Sequence, residues 1–157
     1  MKYRQTPLLM RNTGKAFVNV STSAGPAFNS PVAARGAAFG DLDNDGDTDI
    51  VIAVTDNRPV ILRNDGTKNH WIGFALAGAK SNRYGMGARI IVVDVQNRKQ
   101  TFDVSNAGSY LSSNDGRVLV GLGTASAVRS VEIRWPSGQT QTIANPKIDQ
   151  YHIINER

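Results

Sequence analysis

Five aspartates at alternate positions form the segment of the chain with the clearest chemistry. The five are Asp41, Asp43, Asp45, Asp47 and Asp49. Side chains at positions 1, 3 and 5 of such a loop can converge inside a tightly curved backbone, and Gly46 at position 6 permits the sharp turn. Carboxylates this close repel one another strongly unless a cation lies among them. The pattern therefore predicts an all-oxygen site suited to Ca²⁺.

The remaining loop positions extend the predicted ligand set. Asp47, at position 7, would offer its backbone carbonyl, and Asp49, at position 9, would offer a further carboxylate. An EF-hand is the obvious competitor, but its twelfth position needs a bidentate Glu and here holds Ile52. Mg²⁺ fits less well because it requires octahedral geometry and retains its waters, and zinc would need Cys or His nearby. An Asp- and Asn-rich turn without metal is the open alternative.

The elements that must position this loop are predicted to be strands. Gly and Asn punctuate the chain at short intervals, Asn-Asp-Gly occurs at three places, and the segments between them alternate with period two. The chain is therefore predicted to be all-β, with the acidic loop between two strands of a hairpin. Strands are expected near 15–20, 36–39, 49–54, 59–63, 70–77, 88–95, 98–104, 117–122, 130–135, 140–144 and 150–154.

Alternating apolar residues indicate the faces of the later strands. The predicted sets are Val131, Ile133 and Trp135; Ile72, Phe74 and Leu76; Ile91, Val93 and Val95; and Val118, Val120 and Leu122. Seven or so such strands after residue 69 are enough for an antiparallel β-sandwich or barrel with its own core. A boundary near 64–69 then divides the chain into residues 1–66, which carry the acidic loop, and residues 67–157.

Composition excludes several classes of protein. Hydrophobic residues make up 40% and charged residues 20% of the chain, as in ordinary soluble proteins. There is no Cys, and the longest apolar runs, such as 90–93, are too short for membrane insertion. The net charge of +5 comes from Lys and Arg spread without a run, so no specific nucleic-acid binding is expected. Binding of an anionic polymer is a weaker alternative.

Residues 35–52 resemble an FG-GAP (VCBS-type) repeat. The resemblance lies in Arg35-Gly36-Ala37-Ala38-Phe39-Gly40-Asp41, the acidic loop and Ile50-Val51-Ile52. It implies a blade of an integrin-like β-propeller, with calcium held in the hairpin by the five aspartates. The segment 8–17 resembles the end of an earlier blade, and 59–65 repeats its apolar pair followed by Arg-Asn about fifty residues later.

The rest of the chain resembles an ASPIC/UnbV domain. The motifs are Asn69-His70-Trp71-Ile72, Ser81-Asn82-Arg83-Tyr84-Gly85-Met86-Gly87-Ala88-Arg89, Gly108-Ser109-Tyr110-Leu111-Ser112, Gly121-Leu122-Gly123 and Arg134-Trp135-Pro136-Ser137-Gly138. Tyr84 replaces the acidic residue usual at that position, which weakens any second cation site there. The resemblance implies the C-terminal fragment of a longer exported protein, located outside the cell, in the periplasm or at the cell surface. No signal segment follows Met1.

Two loops are candidates for binding a partner. They combine small residues with Arg and aromatic side chains, a mixture that suits a protein or glycan ligand. The candidate residues are Asn82, Arg83, Tyr84, Arg89 and Tyr110. Two ordinary turn-rich connections are the alternative.

No catalytic constellation stands out in the sequence. His70 and His152 are predicted to be packed or capping residues, Glu132 to face outward on a strand, and Glu156 to lie at the terminus, where it cannot easily pair with Glu132. The expected function is a non-catalytic, calcium-binding interaction or adhesion module. A carbohydrate-active accessory or enzymatic domain is the alternative.

A lone propeller blade leaves apolar faces uncovered, and large exposed apolar patches are rare in monomers. Residues 1–66 are therefore expected to dock on the C-terminal part. A homodimer through the same segment is the other expectation.

Overall fold

The protein is built almost wholly from short strands, as its alternating sequence predicts. The structure is a computed structural model that describes residues 3–66 and 68–157, so Met1, Lys2 and Thr67 of the predicted domain ranges lie outside the described residues. Two 3₁₀ helices, Ser21–Ser23 and Pro26–Asn29, are present. The strands are β1 (Met10–Asn12), β2 (Phe17–Asn19), β3 (Ala34–Gly40), β4 (Asp49–Val54), β5 (Val60–Leu62), β6 (His70–Ala77), β7 (Arg89–Asp94), β8 (Lys99–Asp103), β9 (Val118–Gly123), β10 (Val128–Arg134), β11 (Thr140–Ala144) and β12 (Tyr151–Asn155).

The N-terminal part holds two small antiparallel sheets. β1 and β2 form a two-stranded hairpin, and β3, β4 and β5 form a three-stranded sheet in that order. In the larger sheet, β4 lies in the centre, and its register places Gly40 opposite Asp49. Every residue of β1 and β2 is exposed to solvent. This part of the chain therefore has little core of its own.

The C-terminal part consists of two sheets that share one hydrophobic core. The strand orders are β11-β10-β7-β8 and β12-β6-β9. Ile72 and Phe74 from one sheet and Ile133 from the other are almost completely buried in the same cluster. This confirms the predicted all-β architecture, and the described residues form no closed barrel.

All the predicted strands are present, but three details differ from prediction. β1 was not predicted, because Met10–Asn12 is too short to show alternation. β12 pairs with β6 in parallel, which is possible because the intervening chain forms a long crossover rather than a hairpin. The core face of β7 carries Ile90 and Val92 instead of Ile91, Val93 and Val95. The sequence pattern does not distinguish the two faces of this strand, because all four residues of Ile90–Val93 are apolar.

Candidate functional site

The acidic loop, residues 41–49, connects β3 to β4 at the end of the three-stranded sheet. The pairing of Gly40 with Asp49 brings the two ends of the loop together. Between them the chain turns sharply, with positive φ at Asn44 (61°) and Gly46 (92°). Asn and Gly are the residues that accept this conformation most readily. The sequence of the loop thus supports the curvature that its aspartates need in order to converge.

Asp41 and Asp49 are the buried acids of the loop, with only 3% and 1% of their surfaces exposed. The Asp41 carboxylate accepts hydrogen bonds from the amides of Asp45 (3.1 Å) and Gly46 (3.0 Å). The Asp49 carboxylate accepts from the amides of Leu42 and Asn64, both at 2.8 Å. These amide donors offset part of the cost of burying the two negative charges.

A third carboxylate completes a cluster at the mouth of the loop. One oxygen each of Asp41, Asp43 and Asp49 lies within 4.8 Å of the other two, and Asp43 is exposed to solvent. Three converging carboxylates form the all-oxygen donor set that hard divalent cations take. The exposed Asp43 leaves the cluster open to solvent on one side, so that a cation could enter and keep water ligands.

The other two predicted ligands lie differently. Asp45 turns its side chain back along the loop, where Oδ1 accepts the amide hydrogen of Asp47 at 2.9 Å. The Asp47 carboxylate approaches Gly66 so closely that a Cβ on that glycine would overlap it. Neither carboxylate belongs to the three-residue cluster. The structure therefore brings together three of the five predicted acids.

The acidic loop is also a contact surface for the C-terminal sheets. The Trp71 ring, on β6, lies directly over Gly46, where any Cβ would overlap it. The Tyr151 hydroxyl, on β12, donates to Asp41 Oδ2 at 2.8 Å. The two aromatic rings also contact each other edge to face, with centroids 5.2 Å apart. Glycine is therefore needed at position 46 for two reasons: its positive φ allows the turn, and its lack of a Cβ leaves room for the Trp71 ring.

Arg117 forms two of the polar contacts between the two parts. Its guanidinium donates to the Asp41 carbonyl and to Asn44 Oδ1, both at 2.6 Å. The same group pairs with Asp115 and lies 4.2 Å from the centroid of the Tyr151 ring. Because Asp41 carries a candidate ligand oxygen, Arg117 and Tyr151 join the candidate metal cluster directly to the C-terminal core.

Tyr151 is held in its protonated form by these surroundings. Burial raises the pKa of its hydroxyl well above the ordinary range, and so does the hydrogen bond to Asp41, while the Arg117 charge acts in the opposite direction. The hydroxyl therefore remains a donor to Asp41 throughout the physiological pH range.

The open edge of β3 is covered by the segment 109–115. The Phe39 amide donates to Asn114 Oδ1 at 3.0 Å, and the Phe39 carbonyl accepts from the Asp115 amide at 2.9 Å. The Ala37 amide reaches Ser109 Oγ at 3.4 Å. A free sheet edge is a site of unwanted pairing, and here side chains and loop backbone satisfy it. These contacts, with those of Arg117 and Tyr151, show the docking that the sequence predicts; the homodimer stays a prediction.

The five predicted partner-binding residues differ in whether their side chains are held by the fold or presented to solvent. Asn82 holds its own turn, since its amide group exchanges two hydrogen bonds of 2.8 Å with the Met86 backbone. Arg89 pairs with Asp103 at 2.7 Å, and this pairing raises the pKa of Arg89 and lowers that of Asp103. Arg83 lies over the exposed Tyr84 ring, 5.6 Å from its centroid. Tyr110 is 73% exposed. Tyr84 and Tyr110 are therefore the aromatic side chains of this set that are presented to solvent.

The histidines and Glu132 each have a local partner. His70 Nδ1 contacts Asp149 Oδ2 at 2.8 Å, and His152 Nε2 contacts the Lys147 carbonyl oxygen at 2.7 Å. Glu132 accepts a hydrogen bond from Arg134 at 2.6 Å on the surface of β10. Each of the three side chains is therefore bonded to a neighbouring group of the fold.

Glu156 is a residue whose role the sequence did not indicate. The sequence places it at the terminus, and in the structure it is also buried, with 6% of its surface exposed. Its carboxylate accepts from the backbone amides of residues 79–81 and from the hydroxyls of Ser81 and Ser137. The sequence shows only that Ser81 and Ser137 each lie in a polar turn. That does not indicate that the two side chains share one acceptor.

Comparison with protein families identifies the class to which the chain belongs. The sequence model of the family described as ASPIC and UnbV matches residues 78–157, which is half of the chain. The chain therefore belongs to the ASPIC and UnbV family. The matched region begins immediately after β6, although β6 contributes Ile72, Phe74 and Leu76 to the same core. No curated protein matches the chain. Within the described ranges, no helix is long and apolar enough to cross a membrane.

Proposed function

We propose that this protein is a non-catalytic, calcium-binding interaction module, in which a calcium loop is docked on an ASPIC/UnbV domain. The observation that carries the proposal is the convergence of Asp41, Asp43 and Asp49 at the surface where the two parts meet. Calcium would offset the repulsion among these carboxylates and stabilise the loop. The FG-GAP resemblance of residues 35–52 is part of the same proposal.

The chemistry of the cluster favours calcium over other metals. All three converging side chains are carboxylates, and described Cys or His side chains do not join them. Ca²⁺ accepts 6–8 oxygen ligands in flexible geometry, so carbonyls and waters would complete its coordination. An affinity in the range of extracellular modules, roughly 10⁻⁴–10⁻³ M, fits a loop open to solvent on one side.

The acids of the C-terminal part support a binding role over the alternative of a carbohydrate-active enzyme. A glycosidase needs two carboxyl groups free to act on one substrate. Here every acidic residue after residue 69 is engaged by neighbouring groups of the fold. The pairs are Asp94 with Arg98, Asp103 with Arg89, Asp115 with Arg117, Glu132 with Arg134, Asp149 with His70, and Glu156 with the 79–81 amides.

The proposed setting is outside the cell, in the periplasm or at the cell surface, in the C-terminal region of a longer exported protein. Extracellular calcium at millimolar concentration would occupy a site of the proposed affinity. The partner would be a protein or a glycan.

Calorimetric titration of the full chain with CaCl₂ tests the proposal. Wild type is expected to bind one calcium ion in the affinity range given above. Asp43→Asn is expected to weaken binding about tenfold or more, because it removes one negative charge from the cluster while leaving the two buried carboxylates in place. Asp56→Asn is the matched control, since Asp56 is exposed and lies outside the cluster. Absence of calcium heat in the wild type, or equal binding by Asp43→Asn, would contradict the calcium assignment.

A further inference from the structure

A cavity of about 370 Å³ lies between the two loops that carry the predicted partner residues. One wall is the turn containing Tyr84 and Met86, and the other is formed by Asn106, Asn114 and Arg117. Leu76 contributes apolar surface. This volume is at the lower end of the range for small-molecule sites, which combine apolar and aromatic surface with a few polar groups. We call it the Tyr84 cavity.

The walls of the Tyr84 cavity are held in place before any ligand arrives. The Asn82 side chain fixes the Tyr84 turn through its two bonds to the Met86 backbone. On the other side, the Asn114 side chain donates through Nδ2 to the Ala107 carbonyl. The Asn114 backbone amide donates to the Asn106 backbone carbonyl at 2.8 Å. Gly116 leaves room for the Met86 methyl group, which a Cβ there would approach to 2.7 Å. Such preorganisation reduces the cost of ordering a site on binding.

The charges that line the Tyr84 cavity are already paired with each other. Arg117 Nε donates to Asp115 Oδ2 at 2.7 Å, and its other guanidinium nitrogens contact the acidic loop. Within the described residues, the Tyr84 hydroxyl and Asn106 Oδ1 make no hydrogen bond, so both are available to a ligand. The cavity thus offers neutral hydrogen-bonding groups beside an aromatic ring, rather than a free charge.

We propose that the Tyr84 cavity binds a neutral saccharide. A sugar ring has an apolar C–H face that packs on an aromatic side chain and hydroxyls that bond to amide and phenol groups, which matches Tyr84 and Asn106. Tyr84 is 61% exposed, so its ring is accessible. This inference rests on the proposed function, because it supplies the partner of an interaction module. Tyr110 does not line the cavity and has no part in the site.

Saturation-transfer NMR with a set of neutral oligosaccharides tests the inference on the full chain. The probes are two- to four-unit gluco-, xylo- and manno-oligosaccharides, each at about 10 mM, a level that detects affinities in the millimolar range. At least one probe is expected to bind, and to stay bound in about 0.5 M NaCl, where charge-driven binding is screened. Tyr84→Ala is expected to weaken it about tenfold or more. Tyr110→Ala, which removes another exposed aromatic ring, is the matched control and is expected to bind like wild type.

Three outcomes would overturn the inference: no binding by any probe, unchanged binding by both Tyr84→Ala and Asn106→Ala, or equal loss in Tyr110→Ala. Repeating the titration in EDTA separates it from the calcium proposal. Saccharide binding without any calcium binding would contradict only the calcium assignment. Calcium binding without saccharide binding would contradict only the assignment of the Tyr84 cavity.

Discussion

The two parts of this protein reach stability by different means. The C-terminal sheets bury Phe74, Ile72 and Ile133 at or below 1% exposure in a shared core. The three-stranded N-terminal sheet leaves Phe39 41% and Ile61 63% exposed. Its most buried side chain is a carboxylate, Asp49. One part is held by apolar burial and the other depends on polar contacts and on its neighbour.

This difference teaches where a calcium ion would have the most effect. The stabilisation from one bound ion depends on its affinity and concentration and not on the size of the core. The same gain is therefore a larger fraction of the stability of a three-stranded sheet with exposed faces, which is marginal by itself. The contacts of Asp41 with Arg117 and Tyr151 connect the weaker part to the stronger one. Calcium bound at the acidic loop would then stabilise the sheet and its docked position together.

The largest predicted difference between the two parts is in their response to removal of a phenyl ring. Phe74→Ala is expected to lower the free energy of unfolding by about 3–5 kcal/mol, because it leaves a cavity in a closely packed core. Phe39→Ala, in the exposed N-terminal sheet, is expected to cost about 1 kcal/mol. Urea unfolding of both variants measures the contrast. Equal losses would show that the N-terminal sheet has a core as well packed as the C-terminal one.

A smaller effect is predicted for the contact that joins the parts. Arg117→Ala removes the bonds to the Asp41 carbonyl and Asn44 and is expected to destabilise the chain by about 2 kcal/mol. Limited proteolysis should then cut the segment 55–69 faster than in wild type. Arg89→Ala is the matched control, because Arg89 also pairs with an aspartate but is not bonded to the acidic loop. Equal protease sensitivity of the two variants would argue against Arg117 as the joining residue.

A narrower effect, on how steeply stability falls in acid, is predicted for Glu156. Burial alone would raise the pKa of its carboxyl, but the hydrogen bonds from Ser137, Ser81 and Ala79 outweigh burial and lower it from 4.5 to about 2. A depressed acid pKa contributes stability above the unfolded value and loses it as the pH falls toward the folded value. Thermal melts between pH 5 and pH 2 are therefore expected to fall less steeply for Glu156→Gln than for wild type. Parallel curves would assign the acid sensitivity to other carboxyl groups.

The strands and the acidic loop were predictable because both depend on local patterns. Alternation of Ile72, Phe74 and Leu76 indicates a buried strand face, and the Asp spacing with Gly46 indicates a curved acidic turn. The docking of Arg117 and Tyr151 on Asp41 was not predictable residue by residue. Residues 41 and 151 are far apart in the chain, and the sequence around each of them does not indicate that they are in contact. Asp45 likewise has the spacing of a ligand, yet its side chain caps the Asp47 amide.

The central claim, that a calcium loop is coupled to the ASPIC/UnbV domain, is tested most directly by tryptophan-detected melting of the full chain in EDTA and in CaCl₂. Trp135 is buried in the core of the C-terminal sheets and reports that part, whereas Trp71 lies over Gly46 and reports the surface where the acidic loop docks. If the two parts are coupled, both signals follow one transition. At ten times its dissociation constant, calcium is expected to add about 1.4 kcal/mol and raise the single midpoint by about 3–6 °C. At the same calcium concentration, the shift should fall to about a third or less in Asp43→Asn, since a tenfold weaker site adds only about 0.4 kcal/mol. Identical midpoints in EDTA and calcium, for a chain that calorimetry shows to bind the ion, would contradict the coupling.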